Sequence, residues 1–377
     1  MRNNSFPRVV SVAMFNRVPR HSHLFLSALC ATALLSVGCN KKPEGAADSG
    51  KNPPITGKAS DAPVAIKPAW KAGNKYLMRL ERTQVGQIAG PLAGRRGGGG
   101  QANNAPVETT YAQEYTLTIT NADAGNRGAE LEITGIELQA ARGEETFINY
   151  DSQNKAAPRD QSNPISTAIV GALDKLIGGK VRYLLGADGK VLRVEGVNEL
   201  FARADGTNAQ PAGRGFAPSG ILRRAISEDT FKQMVELNGA PDQDMKVGES
   251  WPFSKMVDAP TVGKLSVNLT NTLRGWQERE GVKCARVEFT GTIISAGGGA
   301  GPGGGRITIN DGQVEGHYWY DPAIGLARET LLNQSFTVNA SGFGGGRNTN
   351  NAGGTNQFAT PVKESVSVKL LEVKPAG

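Results

Sequence analysis

The sequence predicts a β-dominated, essentially all-β fold of curved antiparallel sheets, open-barrel or sandwich-like, with one or two short covering helices. Three observations lead to this prediction. Apolar and polar residues alternate along many segments, turn-forming residues separate these segments, and only two stretches have helical spacing. Such alternation is typical of antiparallel strands that bury one face and expose the other to water.

The N-terminus has the organisation of a bacterial export signal. Residues 1–23 carry four arginines and no acidic residue, and an apolar run follows from Leu24 to Gly38. This run of 15 residues is shorter than the roughly 20 that span a bilayer as a helix. It ends in Leu35-Ser36-Val37-Gly38-Cys39, which resembles the lipobox of bacterial lipoproteins. We therefore expect cleavage between Gly38 and Cys39, and lipid on Cys39.

Two alternatives to this interpretation stay open. Cys39 could be incidental to an ordinary signal peptide, and translation could start at Met14 instead of Met1. Asn40 follows the cysteine, which resembles an outer-membrane sorting signal. The sequence thus predicts a lipid-anchored protein of the cell envelope, on the periplasmic face of the outer membrane, with the inner membrane as the alternative.

The chain divides by composition behind the signal peptide of residues 1–38. Residues 39–68 are rich in Lys, Pro, Gly and Ala and have few large apolar side chains, so we expect a disordered tether. Residues 69–375 form the predicted β-rich domain. Removing residues 1–38 lowers the net charge from +7 to +3, which leaves no basic footprint for nucleic acid.

A faint internal repeat suggests two similar halves as an alternative to a single unit. The glycine turn and aromatic residue of Lys71–Tyr76 recur in Lys246–Trp251. The halves would be residues 69–200 and 245–373, joined by a helical connection at 221–238.

Strands are predicted wherever the alternation has period two. The first strand is Lys75–Gln84, and Tyr115–Thr120 and Leu265–Leu273 each place apolar side chains on one face. A turn rich in Asp, Gly and Asn joins the second of these to Leu131–Leu138 as a hairpin. Another hairpin is predicted for Val181–Val194, where Asp-Gly suits a tight turn.

Two stretches have helical spacing. Ile165–Ile177 is followed by two glycines, and Ser227–Leu237 begins with a capping serine. We expect both to cover the core. Four stretches are predicted from their composition to lack regular structure: residues 86–106, 202–220, 295–305 and 341–357. Three of these stretches interrupt strand patterns, and we expect them to be hairpin tips.

Cysteine usage leaves no internal disulfide. Cys30 is lost with the signal and Cys39 is used for lipid, so Cys284 has no partner. Period-two alternation places Cys284 on the polar face of its strand with Arg286 and Glu288, where we expect partial exposure and no activated thiol.

No catalytic, metal or ligand site can be identified from the sequence. His317 is the only histidine after residue 38, and it is better explained as a hydrogen-bonded histidine of the sheet than as a catalyst. One histidine cannot form a two-histidine metal site, so we expect no metal and no cofactor. The carboxylates near sheet turns, which a glycosidase could pair, are Asp188, Glu195, Glu315 and Asp321. The tryptophans, expected in the core rather than on a ligand, are Trp70, Trp251, Trp276 and Trp319.

Four segments together resemble an uncharacterised family of β-rich bacterial envelope lipoproteins known only as a domain of unknown function. They are Val181–Leu200, Val247–Trp251, Leu265–Phe289 and Gly316–Arg328. The resemblance implies neither an activity nor site residues. We expect a non-catalytic binding or structural component of the envelope whose partner is a protein, a lipid or a glycan. The alternative is an envelope hydrolase acting on glycan or lipid.

Overall fold

The computed structural model describes residues 62–86, 106–121, 126–154, 164–205, 231–232, 234–236, 239–259, 263–297, 299–300, 306–341 and 358–375. Within these residues the strands are β1 (Lys75–Gly86), β2 (Val107–Asn121), β3 (Arg127–Arg142), β4 (Glu145–Asp151), β5 (Lys180–Leu185), β6 (Val191–Glu195), β7 (Ser250–Ala259), β8 (Gly263–Arg279), β9 (Val282–Ser295), β10 (Gly299–Ala300), β11 (Arg306–Asp321), β12 (Leu326–Ser341) and β13 (Phe358–Lys374). The helices are α1 (Pro164–Leu176) and α2 (Val197–Asp205).

The described strands form one 13-stranded sheet in the order β6-β5-β3-β2-β1-β13-β12-β11-β9-β8-β7, with β4 beside β3 and β10 beside β11. Every pairing is antiparallel. The sheet is open, since β6 and β7 are its two edges. The β-dominated antiparallel fold that the sequence predicts is therefore confirmed.

The period-two pattern predicted the strands because each strand buries one face. Tyr115, Leu117 and Ile119 on β2 are at most 1% exposed, whereas the threonines between them are partly exposed. The predicted β5–β6 hairpin is present, and Gly189 in its turn has a φ of +78°. Positive φ there explains the Asp-Gly pair.

The buried side chains of neighbouring strands form two apolar clusters on one side of the sheet, which we call the inner face. One cluster includes Tyr115 and Leu131 and is covered by α1 and α2. The other includes Leu269, Val287 and Phe336 from the second half of the chain.

The helices agree with the sequence only in part. α1 lies where predicted and ends before Gly178, whose φ is +70°. α2 was not predicted, and its last turn from Ala202 to Asp205 lies in a stretch that we expected to lack structure. This nine-residue helix is too short to be stable alone, and it packs Leu200 and Phe201 into the core. Strand β4 was also missed.

The helix expected at Ser227–Leu237 is described only in part. Residues 231–232 are helical, and Phe231, Met234 and Val235 of the predicted apolar stripe are buried. Ser227 lies outside the described residues, so its role as a cap stays a prediction.

Residues 62–70, which we call the entry segment, differ from the expected disordered tether. Val64 is 8% exposed and pairs with Met245 as an isolated bridge, and Ile66 is 1% exposed in the second apolar cluster. The expected start of order near Trp70 is therefore too late. Only two large aliphatic side chains, Val64 and Ile66, precede Trp70 here, and composition does not reveal that tertiary contacts hold both of them.

The turns before β1 and β7 make matching hydrogen bonds. Gly73 donates its N–H to the carbonyl oxygen of Ile119 at 2.7 Å, and Gly248 donates to that of Leu273 at the same distance. Both glycines have positive φ, at +86° and +91°. These turns belong to the faint sequence repeat, and a duplication of the chain stays a prediction.

Candidate functional site

A cavity of about 160 Å³ lies on the inner face. Side chains from β1, β7, β8, β9, β11, β12 and β13 line it, so the sheet curves around it. Its walls are largely apolar, with Leu269, Phe289, Val314 and Leu332 among them. Apolar walls favour an apolar occupant, because water there would find few hydrogen-bond partners.

Two segments outside the sheet complete the wall of the cavity. Pro68 and Trp70 come from the entry segment, and Met234 and Val235 from the partly described helical segment. The entry segment includes the last residues of the expected tether, so the chain that leads from Cys39 reaches the domain at the cavity.

Two aromatic side chains of the cavity wall have a buried polar atom that lacks a hydrogen-bond partner among the described residues. These are the hydroxyl of Tyr318 and the indole Nε1 of Trp70. Burial raises the pKa of Tyr318 far above its ordinary value, so the hydroxyl stays protonated. An unpaired buried donor costs about 1–3 kcal/mol, which a ligand with an acceptor atom would offset.

A line of polar side chains crosses the inner face beside the cavity. We call Gln334 on β12, Glu364 on β13, Arg82 on β1 and Gln113 on β2 the polar row. Gln334 lines the cavity and lies opposite Glu364 in the β12–β13 register. Glu364 contacts Nε of Arg82, which lies opposite Tyr111 on β2, and the Tyr111 hydroxyl donates to Oε1 of Gln113 at 2.6 Å. The row therefore continues from the cavity across four neighbouring strands.

The polar row is deeply buried and incompletely paired. Gln334 and Gln113 are each 1% exposed and Glu364 is 2% exposed. Within the described part of the chain, Nε2 of both glutamines, Nη2 of Arg82 and Oε2 of Glu364 make no hydrogen bond, and Oε1 of Glu364 contacts Nε of Arg82. Burial raises the pKa of Glu364 to about 8, against the opposing effect of Arg82.

Our sequence analysis did not single out any member of the polar row. A signal was present, because Arg82 shares the phase of Tyr76 and Met78 on β1. Glu364 likewise shares the phase of Val362 on β13. A charged residue in the apolar phase of a strand predicts a buried charge, but not which other charge it meets.

The cavity also has a polar wall whose groups satisfy one another. Lys255 on β7 pairs with Glu236 at 2.7 Å, and the second carboxylate oxygen of Glu236 accepts the backbone N–H of Val191 at 3.2 Å. The ion pair and this hydrogen bond together engage both carboxylate oxygens of Glu236.

His317 belongs to a packed network on the opposite, outer face. The rings of His317 and Trp319 are nearly perpendicular, with 4.5 Å between their centroids. Trp319 donates a hydrogen bond of 2.6 Å from Nε1 to Oε1 of Gln277. The guanidinium of Arg279 lies 4.5 Å from the Trp319 ring. Burial, and then Arg286, lowers the pKa of His317. The hydrogen bond expected for this histidine is not made by its buried Nε2 among the described residues.

Three of the four candidate carboxylates are engaged in turns or ion pairs. Asp188 and Asp321 each accept the backbone N–H two residues later, at 3.1 and 2.9 Å, as expected of turn formers. That hydrogen bond lowers the pKa of Asp188. Glu195 pairs with Arg193 at 2.9 Å, and Glu315 is exposed on β11. The turns of Asp188 and Asp321 both contact the entry segment.

The tryptophans occupy different places. Trp251 is buried as expected, and Trp70 and Trp276 are partly buried, with Lys283 5.0 Å from the ring centroid of Trp276. Trp319 is buried on the outer face rather than in the apolar core, because long polar side chains cover it.

The expected partial exposure of Cys284 is wrong. The thiol is on the outer face as predicted, but it is 0% exposed. Burial raises the pKa of the Cys284 thiol to about 11. Among its charged neighbours, Asp321 raises this pKa further and Arg279 lowers it. Alternation therefore identified the face correctly, and tertiary packing decided the burial.

Other predictions meet the limits of the described residues. Gly38, Cys39 and the signal peptide lie outside them. Within the described ranges, no group of three His, Cys, Asp or Glu side chains could hold a metal ion. None of the described helices is long and apolar enough to cross a membrane.

The fold and the cavity define an antiparallel β-sheet protein with an apolar cavity on its inner face. The chain belongs to a family of unknown function, DUF6263, whose model matches residues 130–326. The resemblance to a domain of unknown function is thereby confirmed. Among curated proteins, none matches the sequence.

The similarities to solved structures are weak. A structure of lipid–protein interactions in lipovitellin has 10% identity and a TM-score of 0.40, over 82% of this chain and 26% of that chain. The chain thus spans about a quarter of the lipovitellin chain. A DUF1329 family protein from Desulfovibrio piger has 9% identity and a TM-score of 0.15, over 80% of this chain and 86% of its own. The β domain of the Bordetella autotransporter BrkA has 11% identity and a TM-score of 0.16, over 78% and 98%.

Proposed function

We propose that the chain is a lipid-anchored protein of the bacterial cell envelope that binds an apolar group in the inner-face cavity and catalyses no reaction. The observation that carries this proposal is the cavity, which seven neighbouring strands line with mainly apolar side chains. Apolar surface removed from water contributes about 25 cal/mol per Å², so even a small occupant gains affinity there.

The size of the cavity restricts the occupant. Its 160 Å³ is below the roughly 300–1,000 Å³ of pockets for drug-sized ligands and near the roughly 150 Å³ that holds benzene in an engineered core. The occupant is therefore a short alkyl chain, one end of a longer chain, or a single ring.

Location follows from the N-terminal sequence. The lipobox-like Leu35–Cys39 supports an anchor on Cys39, and Asn40 supports the outer membrane. A protein held at a membrane surface is close to a source of alkyl chains. The hydrolase alternative has less support, because Asp188, Asp321 and Glu195 are engaged in turns and ion pairs.

Photolabelling tests the proposal. The full-length protein is purified from membranes into lipid nanodiscs and exposed to octane bearing a diazirine, and labelled peptides are mapped by mass spectrometry. We expect labels on cavity residues such as Val314 and Leu332. Ala327→Phe, which fills the cavity, should abolish them, and Ala323→Phe in the exposed β11–β12 turn should not. Labels confined to the protein surface would refute the proposal.

A further inference from the structure

The cavity has neighbours that an apolar occupant would not use. The polar row begins at the cavity wall with Gln334 and continues through Glu364 and Arg82, and Tyr111 connects it to Gln113. Three N–H groups of this row have no acceptor among the described residues, on Gln334, Gln113 and Arg82. Both glutamines are more than nine-tenths buried, so these are built features of the interior rather than surface groups.

The chemistry of the free groups indicates what would satisfy them. Unpaired N–H donors need oxygen acceptors, and a guanidinium pairs best with a carboxylate or a phosphate. Arg82 contacts Glu364 through Nε, but its Nη2 has no acceptor among the described residues, and burial raises the pKa of Glu364, which weakens the opposing negative charge. The Arg82 side chain is 19% exposed, so a charged group can reach the guanidinium from water.

We propose that the polar row binds the anionic, oxygen-rich head of an amphiphile whose alkyl chain occupies the cavity. This inference deepens the proposed function and rests on it. Fatty acids and single-chain phospholipids share the required chemistry, because each joins an acceptor-rich anion to an alkyl chain. A cationic head is disfavoured, because it would place a second positive charge beside Arg82 and leave the donors unsatisfied.

Competition against the photoreactive octane tests the head group. The competitors have the same eight-carbon chain and differ only in the head: octanoate, octyl phosphate and octyltrimethylammonium. With the full-length protein in nanodiscs, we expect octanoate or octyl phosphate to displace the label at concentrations at least about tenfold lower than the ammonium compound. The preferred anion distinguishes a carboxylate from a phosphate source.

Matched variants separate binding from folding. Gln334→Leu and Gln113→Leu remove the free donors with little change in shape, and each should raise the concentration of anion needed for displacement by about tenfold. Labelling by the neutral octane probe should stay unchanged in Gln113→Leu, because Gln113 lies outside the cavity wall. Gln139→Leu, at an exposed position of β3, is the control and should alter neither.

The dependence on pH supplies a second measurement. Arg82 on β1 is the ionisable side chain that contacts Glu364, and Tyr111 on β2 lies opposite Arg82. The residues opposite Glu364 are neutral: Gln84 on β1 and Gln334 on β12. Burial raises the pKa of Tyr111, so its hydroxyl stays neutral. As the pH rises through about 8, Glu364 ionises and repels an anionic head, so octyl phosphate should displace the octane label less effectively. Glu364→Gln should remove that weakening.

The outcomes for the two proposals are distinguishable. If the octane probe labels the cavity and all three heads compete equally, or the ammonium competes best, the head-group inference is overturned and the proposed function stands. If neither octane nor any amphiphile reaches the cavity, the proposed function itself fails.

Discussion

Tyr320 on β11 donates a hydrogen bond of 2.6 Å from its hydroxyl to the backbone carbonyl oxygen of Lys67, 253 residues away in sequence. The same hydroxyl accepts the backbone N–H of Lys67 at 3.2 Å. These bonds hold the entry segment against the sheet, beside the residues with which this segment lines the cavity.

Tyr320→Phe should loosen the entry segment. Loss of the hydroxyl removes both bonds and should lower the free energy of unfolding by about 1–2 kcal/mol, with faster hydrogen exchange over residues 64–69. Tyr318→Phe is the matched control, because the Tyr318 hydroxyl has no partner among the described residues. Equal losses in the two variants would contradict the role assigned to Tyr320.

Gly325→Ala should disturb the same contact. Its φ is +66°, and an added Cβ would lie 2.4 Å from the backbone nitrogen of Ala69, which cannot move aside as a side chain could. We expect a loss of about 3 kcal/mol in denaturant unfolding. Gly281→Ala is the control: its φ is +77°, but no atom lies within 4 Å, so backbone strain alone should cost about 1 kcal/mol.

Glu364 should make the protein less stable as the pH rises. The folded state keeps the proton up to about pH 8, whereas the unfolded chain releases it near 4.5, so the free energy of unfolding falls between these values. Glu364→Gln should reduce that slope by up to about 1.4 kcal/mol per pH unit, measured by urea unfolding between pH 5 and 8. Glu315→Gln, at an exposed position, should leave the slope unchanged.

The two turn aspartates should respond differently to substitution. Asp321 is 1% exposed and accepts a hydrogen bond of 2.8 Å from Arg328, so Asp321→Asn should cost about 2 kcal/mol in the free energy of unfolding. The Asp188 side chain is 56% exposed, and Asp188→Asn should change it by less than about 0.5 kcal/mol. Similar losses from both would show that the buried ion pair contributes little.

The lipid anchor has a direct test by mass. The membrane-extracted protein should lack residues 1–38 and carry added acyl mass on its first residue. Cys39→Ser should remove this mass and release or mislocalise the protein. Cys30→Ser, within the same apolar run, is the control and should leave anchoring intact. A mature N-terminus other than Cys39 would refute the anchor.

The fold was accessible from the sequence to the extent that its signals are local. Tyr115, Leu117 and Ile119 are buried because a strand turns every second side chain inward, and Asp188-Gly189 marks a turn that needs positive φ. The short helix α2 has no comparable signal, because its stability comes from packing Leu200 and Phe201 against the core.

The candidate site was much less accessible. Cys284 was placed on the correct face, but its burial depends on which long side chains from other strands cover it. The polar row joins Arg82 and Glu364, which adjoin only because β1 pairs with β13, the last strand of the chain.

The sequence by itself determined the alternating strands, the main turns, helix α1 and the family resemblance, because each depends on neighbours a few residues apart. Only the tertiary structure decided the cavity, the polar row and the docking of the entry segment. These features arise where distant segments meet around a curved sheet, and no local pattern specifies which strands become neighbours or how much space they leave between them.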